Sequence, residues 1–271
     1  MNENGEAIVD WTPDSATAIV VRNRGDYSAV YKQRLDTDTA VPIVPRINDA
    51  LVENALLSPD ARWVILEIWP LPPAPGPVPP RPQVWRVPIE GGTPERLFSV
   101  SPGSSLSCAR APATLCVIGE PSADRRQAVV SAIDPVSGRR SGEILRYERY
   151  QNPDEDATLL VFALSPDGQW LSTSAAPSGP LRILSLRGAH TRVLPVDGLN
   201  VRYQAAWAPD GSALIMANHP AGESVLVHVD LQGNMRPLLK CDCFGIPSPD
   251  GRYLGITERR QATNVWMLEN F

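Results

Sequence analysis

The chain has 271 residues, is 43% hydrophobic, and carries 25 basic against 30 acidic side chains for a net charge of −5. That is enough apolar material for a sizeable core. No basic cluster exceeds a pair (Arg125-Arg126, Arg139-Arg140, Arg259-Arg260), so neither nucleic-acid nor anionic-membrane binding is indicated. No apolar run approaches the ~18 residues of a membrane span. The start, MNENGEAIVDW, lacks the basic and apolar regions of a signal peptide. The chain reads as cytosolic, or as a piece of a longer protein whose targeting lies elsewhere.

Five variants of one turn punctuate the sequence. The first is Trp11-Thr12-Pro13-Asp14-Ser15 and the second is Leu57-Ser58-Pro59-Asp60-Ala61, followed by the run WVILEIW. Pro presets φ at the second turn position, Asp bonds back to nearby amides, and Gly accepts the positive φ at the exit. Ser15 and Ala61 stand where later copies have Gly. The segment Pro70 to Pro82, PLPPAPGPVPPRP, is the one low-complexity stretch. It reads as a stiff polyproline II extension of a hairpin, with a PxxP docking surface as the sharper alternative.

The next turn is degenerate. SLSCAR and ATLCVIGE flank Ala111-Pro112 as two strands, and they carry Cys108 and Cys116 with seven residues between them. Facing residues of a hairpin can reach disulfide distance, which would fit an oxidising compartment. Two reduced core thiols are the alternative. Asp154, Glu155 and Asp156 follow as an acidic loop, read as solvated rather than as a Ca²⁺ site. TLLVFAL then leads into Leu164-Ser165-Pro166-Asp167-Gly168, with QWLSTSA, LRILSLR and TRVLPV after it.

RYQAAW enters the turn Trp207-Ala208-Pro209-Asp210-Gly211, and SALIMAN, SVLVHVDL and MRPLLK follow with a period of two. Cys241-Asp242-Cys243 is too closely spaced for a usual disulfide and lacks two further metal ligands, so it reads as core packing. The last turn is Pro247-Ser248-Pro249-Asp250-Gly251. It lies among the strands CFGIP, RYLGITE and NVWMLEN.

The turn aspartates Asp14, Asp60, Asp167, Asp210 and Asp250, with Gly168, Gly211 and Gly251, form a structural repeat spaced 46, 43 and 40 residues apart where consecutive. The gap of 107 between Asp60 and Asp167 holds the degenerate copy, giving six units in the size range of four-stranded propeller blades. The expected fold is all-β: a six-bladed β-propeller forming a single domain over 1–271, with blades near 7–46, 47–101, 102–150, 151–198, 199–240 and 241–271. The last blade is expected to be one strand short. Its fourth strand should precede the first turn, where Met1 to Ala7 is a poor strand, so residues upstream of Met1 are expected to belong to the domain. Trp11, Trp63, Trp170 and Trp207 follow the repeat and read as inter-blade packing.

The turn and its following strand resemble the TolB-like, or PD40, β-propeller repeats across the whole chain. The strings SCARAPATLCVIGE, ILSLRG, HVDLQGN, SPDGRYLGIT and NVWMLENF look like the C-terminal propeller of bacterial serine/threonine kinases of the acidobacterial type and of winged-helix regulators. That resemblance implies a sensory or interaction module. No Gly-rich phosphate loop, HRD-type loop, DFG-type site or G-x-S-x-G elbow is present, so no kinase or peptidase residue carries over. His190, His219 and His228 fall in no ligand spacing.

The expectation is therefore a non-enzymatic module with no catalytic, cofactor-binding or metal site. It would hold a protein or small-molecule partner at the channel mouth or the surrounding loops, bind no nucleic acid and insert into no membrane. The rival readings are a propeller-type lyase, lactonase or glycosidase, and the accessory propeller of a serine peptidase. Location follows from what is attached: extracytoplasmic behind an upstream span, otherwise cytoplasmic.

Overall fold

Each repeat of the sequence folds into its own antiparallel meander. A computed structural model describes residues 4–71, 81–149, 162–174, 180–188, 190–200, 205–220 and 223–258. The first sheet is β1 (Asn4–Trp11), β2 (Thr17–Arg24), β3 (Tyr27–Arg34) and β4 (Ala40–Asn48), in that order. The second is β5 (Ala50–Leu57), β6 (Trp63–Pro70), β7 (Gln83–Pro88) and β8 (Glu95–Ser99). The third is β9 (Ser105–Cys108), β10 (Cys116–Pro121), β11 (Gln127–Ile133) and β12 (Arg140–Glu148). The fourth is β13 (Phe162–Leu164), β14 (Trp170–Ser174), β15 (Leu181–Ser185) and β16 (Thr191–Leu194). The fifth is β17 (Ala206–Trp207), β18 (Ala213–Asn218), β19 (Val225–Asp230) and β20 (Met235–Lys240). A two-stranded sheet of β21 (Cys243–Pro247) and β22 (Leu254–Glu258) completes the set.

The first strands of successive sheets touch in sequence, β1 to β5, β9, β13, β17 and β21, and β21 and β22 touch β1 again. The sheets therefore form a closed ring with their first strands around the axis. The chain is an all-β propeller, with no helix among the described residues. Where six blades are expected, the last of them one strand short, the described residues give five four-stranded sheets and the two-stranded sheet. The expected strand NVWMLEN lies outside the described residues, as do 72–80 of the Pro-rich segment and the acidic loop at 154–156.

One expectation needs correcting. The segment before the first turn is a strand, β1, and it belongs to the first sheet. Its register runs from Asn4 opposite Arg24 to Trp11 opposite Ala18. Polar residues are no obstacle there: Arg22 pairs with Glu6 at 2.9 Å, and the backbone ladder supplies the rest.

The turns explain the spacing of the strands. Thr12, Ser58, Ser165, Ala208 and Ser248 each donate the backbone N–H to the carbonyl five residues on and accept from the N–H three residues on. The residue at that third position has φ of 60° in Ser15, 54° in Ala61, and 69° to 71° in Gly168, Gly211 and Gly251. That left-handed conformation suits glycine and strains a side chain modestly. The carboxylates of Asp14, Asp60, Asp167, Asp210 and Asp250 each accept from the backbone N–H two residues on. A sixth copy of the same turn sits at Ser122–Arg126, between β10 and β11. There Asp124 accepts from Ser122 Oγ and the Arg126 N–H, and Arg125 takes φ of 59°.

The core lies between the sheets rather than in one central mass. Ile19, Val21, Val52, Leu57 and Leu66 join the first two sheets, and Val117, Val130, Phe162 and Leu171 join the third and fourth.

Candidate functional site

The turns between the first and second strands of the sheets lie at one end of the ring, which makes that face the place where separate units converge. At its axis sits Asp10, two residues before the first turn. Its Oδ1 accepts the Trp11 N–H and its Oδ2 accepts the Leu57 N–H from the second sheet, both at 2.8 Å. Arg110, in the degenerate third turn, brings a guanidinium to 3.6 Å from Asp10. The same Nη2 donates to the Pro247 carbonyl at 3.5 Å, and the Arg110 backbone N–H donates to the Pro166 carbonyl at 2.9 Å. One residue of the third repeat thus touches the first, fourth and last units, which places it across the channel axis. Burial raises the Asp10 carboxyl above its ordinary range, against the opposing pull of Arg110 and the two backbone N–H groups.

The third turn can do this because it is built differently. Its closing bond runs from the Ala109 N–H to the Leu115 carbonyl, one residue longer than in the other copies. The extra residue frees Arg110 to lie over the mouth.

Adjacent units are bolted along the same rim. Trp207 donates its indole N–H to the Ala163 carbonyl at 3.0 Å, and Trp11 donates to the Ile246 carbonyl at 2.9 Å. Ser107 Oγ accepts the Leu164 N–H as Asp10 accepts that of Leu57. Asp250 donates its N–H to Ser15 Oγ at 3.0 Å. The turn aspartates serve the turns: the neighbouring hydroxyls of Thr12 and Ser248 hold Asp14 and Asp250 below the usual carboxylate range.

Between the second and third sheets lies a buried carboxyl. Glu67 is 4% exposed and accepts from Ser104 Oγ at 2.9 Å. Burial pushes it up to about 7, with the Ser104 hydroxyl opposing the shift and Glu53 adding to it.

Cys108 faces Cys116 across β9 and β10, with Cα atoms 4.0 Å apart and Sγ atoms at bonding distance. Cys241 and Cys243 also hold their Sγ atoms at bonding distance, with Cα atoms 5.2 Å apart, where the spacing alone suggests packed thiols. His219 Nδ1 lies 2.8 Å from Ser224 Oγ, His190 lines a cleft between the fourth and fifth sheets, and His228 is in β19. Among the described residues, no three His, Cys, Asp or Glu side chains gather as a metal set.

No family model matches the sequence, and no curated protein matches it. Solved structures do. A protein assigned as TolB from Agrobacterium tumefaciens superimposes with a TM-score of 0.67 at 15% identity, over 96% of this chain and 92% of that one. The fold is a TolB-type β-propeller. TolB from Acinetobacter baumannii agrees, with a TM-score of 0.64 at 16% identity over 88% of this chain and 55% of that one. An oligogalacturonate lyase from Vibrio parahaemolyticus follows at 0.56 and 14% identity, over 93% and 70%. The TolB likeness expected from the repeated turns is thus present in the fold. The resemblance to kinase-linked propellers finds no support in these structures.

Asp10, Arg110 and Glu67 escape a reading of the sequence. A signal exists for Glu67, a single carboxylate inside the apolar run WVILEIW. Asp10 and Arg110 are joined only by the closing of the ring.

Proposed function

We propose that this chain is a non-enzymatic binding propeller, the interaction region of a larger bacterial signalling protein, with a protein or small-molecule partner held on the turn face. The two-stranded sheet of β21 and β22 is, in this reading, the inner half of a sixth blade. The observation that carries the proposal is the Arg110 bridge. The charged groups at the mouth are spent on each other and on backbone amides, which suits a rigid docking surface better than a reaction centre. The same fold appears in the solved structure of a nidogen/laminin complex, at a TM-score of 0.58 and 12% identity. The register of Cys108 and Cys116 supports an extracytoplasmic location.

Arg110→Glu tests this. Binding partners captured from lysate by the wild-type chain and lost by this variant support a turn-face site. Equal capture by both overturns it. A second reading, a propeller enzyme, is favoured by Glu67, whose carboxyl titrates near neutrality, and by the likeness to an oligogalacturonate lyase. Turnover of oligogalacturonate by wild type and its loss in Glu67→Gln would establish that reading instead.

A further inference from the structure

Three turns are followed by an aromatic residue in the same place. Trp63, Trp170 and Tyr253 each donate the backbone N–H to the hydroxyl of the turn serine five residues earlier, Ser58, Ser165 and Ser248. Their rings are therefore equivalent, yet they are not covered alike. The Arg86 guanidinium lies 4.4 Å from the centroid of the Trp63 ring. Tyr253 stacks on Trp11 with centroids 6.3 Å apart and planes 20° from parallel. Among the described residues, Trp170 has neither cover. In the fourth sheet the position equivalent to Arg86 is Ile183, by the pairing of Ile65 with Arg86 and of Ser172 with Ile183.

The neighbouring seam is built like the one Tyr253 closes. Trp207 is the counterpart of Trp11, and each is fixed by the indole bond to the preceding unit. Where Trp11 and Tyr253 meet, the rings stack. Where Trp207 and Trp170 face the same seam, a cleft of about 300 Å³ separates them, lined also by Ile183, Leu231, His190 and Arg192. Trp170 is left 36% exposed.

The charges around this cleft are unequal in their commitments. Asp167 and Asp210 line it, but each already accepts from donors of its own turn. Among the described residues, Arg192 has no acidic partner and the His190 ring no hydrogen-bond partner. The uncommitted charge at the cleft is thus the Arg192 guanidinium.

We propose that the seam between the fourth and fifth sheets is a binding site for a small planar aromatic acid. The ring takes the slot between Trp170 and Trp207 that stacking fills elsewhere, and the acid group meets Arg192 at the rim, with His190 beside it. The site lies off the axis and goes beyond the channel-mouth reading. Its failure would leave the Arg110 capture result untouched.

Titration calorimetry with 1-naphthoate tests it. Saturable binding of one equivalent is expected. Trp170→Ala and Arg192→Gln should each weaken it at least tenfold without lowering the melting temperature. 1-Naphthamide and cyclohexanecarboxylate, lacking the charge or the ring, should each bind at least tenfold more weakly than 1-naphthoate. Absence of saturable binding would overturn the proposal. So would binding that survives Trp170→Ala, or tighter binding of 1-naphthylmethylammonium, which would assign the rim to the two aspartates.

Discussion

The indole N–H of Trp11 donates to the carbonyl of Ile246 across a sequence separation of 235 residues, at 2.9 Å. It is one of the bonds by which the first sheet holds the two-stranded sheet, with Thr257 Oγ1 accepting from the Ile8 N–H at 3.0 Å. Among the described residues no strand is shared between the first sheet and β21–β22, and bonds involving side chains link the two.

Trp11→Phe should keep most of the buried area and lose the bond, costing about 1 kcal/mol. Trp11→Ala should cost about 3–5 kcal/mol by leaving a cavity against Tyr253 and Ile246. Urea unfolding of both variants measures the difference. A Trp11→Phe variant as stable as the wild type would mean that the bond contributes nothing beyond packing.

Gly119 in β10 marks a second close approach. A methyl group there would lie 2.3 Å from Cε1 of Phe162, whose ring is 1% exposed between the third and fourth sheets. Gly119→Ala should destabilise by about 2–3 kcal/mol through overpacking. Phe162→Leu in the same chain should recover part of that loss, so the two substitutions should be non-additive by at least about 1 kcal/mol. Additive effects in denaturant unfolding would show that the clash relaxes elsewhere.

The turns were legible because their chemistry is local: Pro, Asp and a left-handed exit define Ser165 to Gly168 without reference to the rest of the chain. The copy at Ser122–Arg126 escaped because Ala123 replaces Pro, and because it lies one strand later in its sheet. β1 was misjudged for the opposite reason. Nothing in Asn4-Gly5-Glu6 favours a strand, and its conformation comes from pairing with β2. The Asp10–Arg110 contact spans 100 residues of sequence and exists only once the ring has closed. Trp170 reads as packing between blades from its place in the repeat but is 36% exposed, and its uncovered face emerges only from comparison with Trp63 and Tyr253.

The pairing register of Cys108 with Cys116 makes a chemical prediction. Under oxidising conditions the two should be joined, and Cys108→Ser with Cys116→Ser should cost about 2–3 kcal/mol, since the closed loop is short. Peptide mapping after alkylation, with and without reduction, reads the pairing directly. Free alkylation of Cys108 in the unreduced folded chain would exclude it.

Glu67 makes stability depend on pH. Its carboxyl sits near 7 in the fold against 4.5 when exposed. The folded chain therefore binds more protons than the unfolded one between these values, and stability falls as pH rises from 4.5 to 7. Above 7 both states are ionised and the contribution is gone. The full effect is about 3 kcal/mol at most. Asp10, also raised by burial, adds a loss of the same sign that begins near its ordinary value of 3.8. Glu67→Gln keeps an acceptor for Ser104 and removes the charge. Its unfolding free energy should exceed that of the wild type at pH 8 and differ little at pH 4.5. Unfolding in urea at the two pH values measures both, and a variant that tracks the wild type at each pH would show that the carboxyl is ionised in the fold and solvated there.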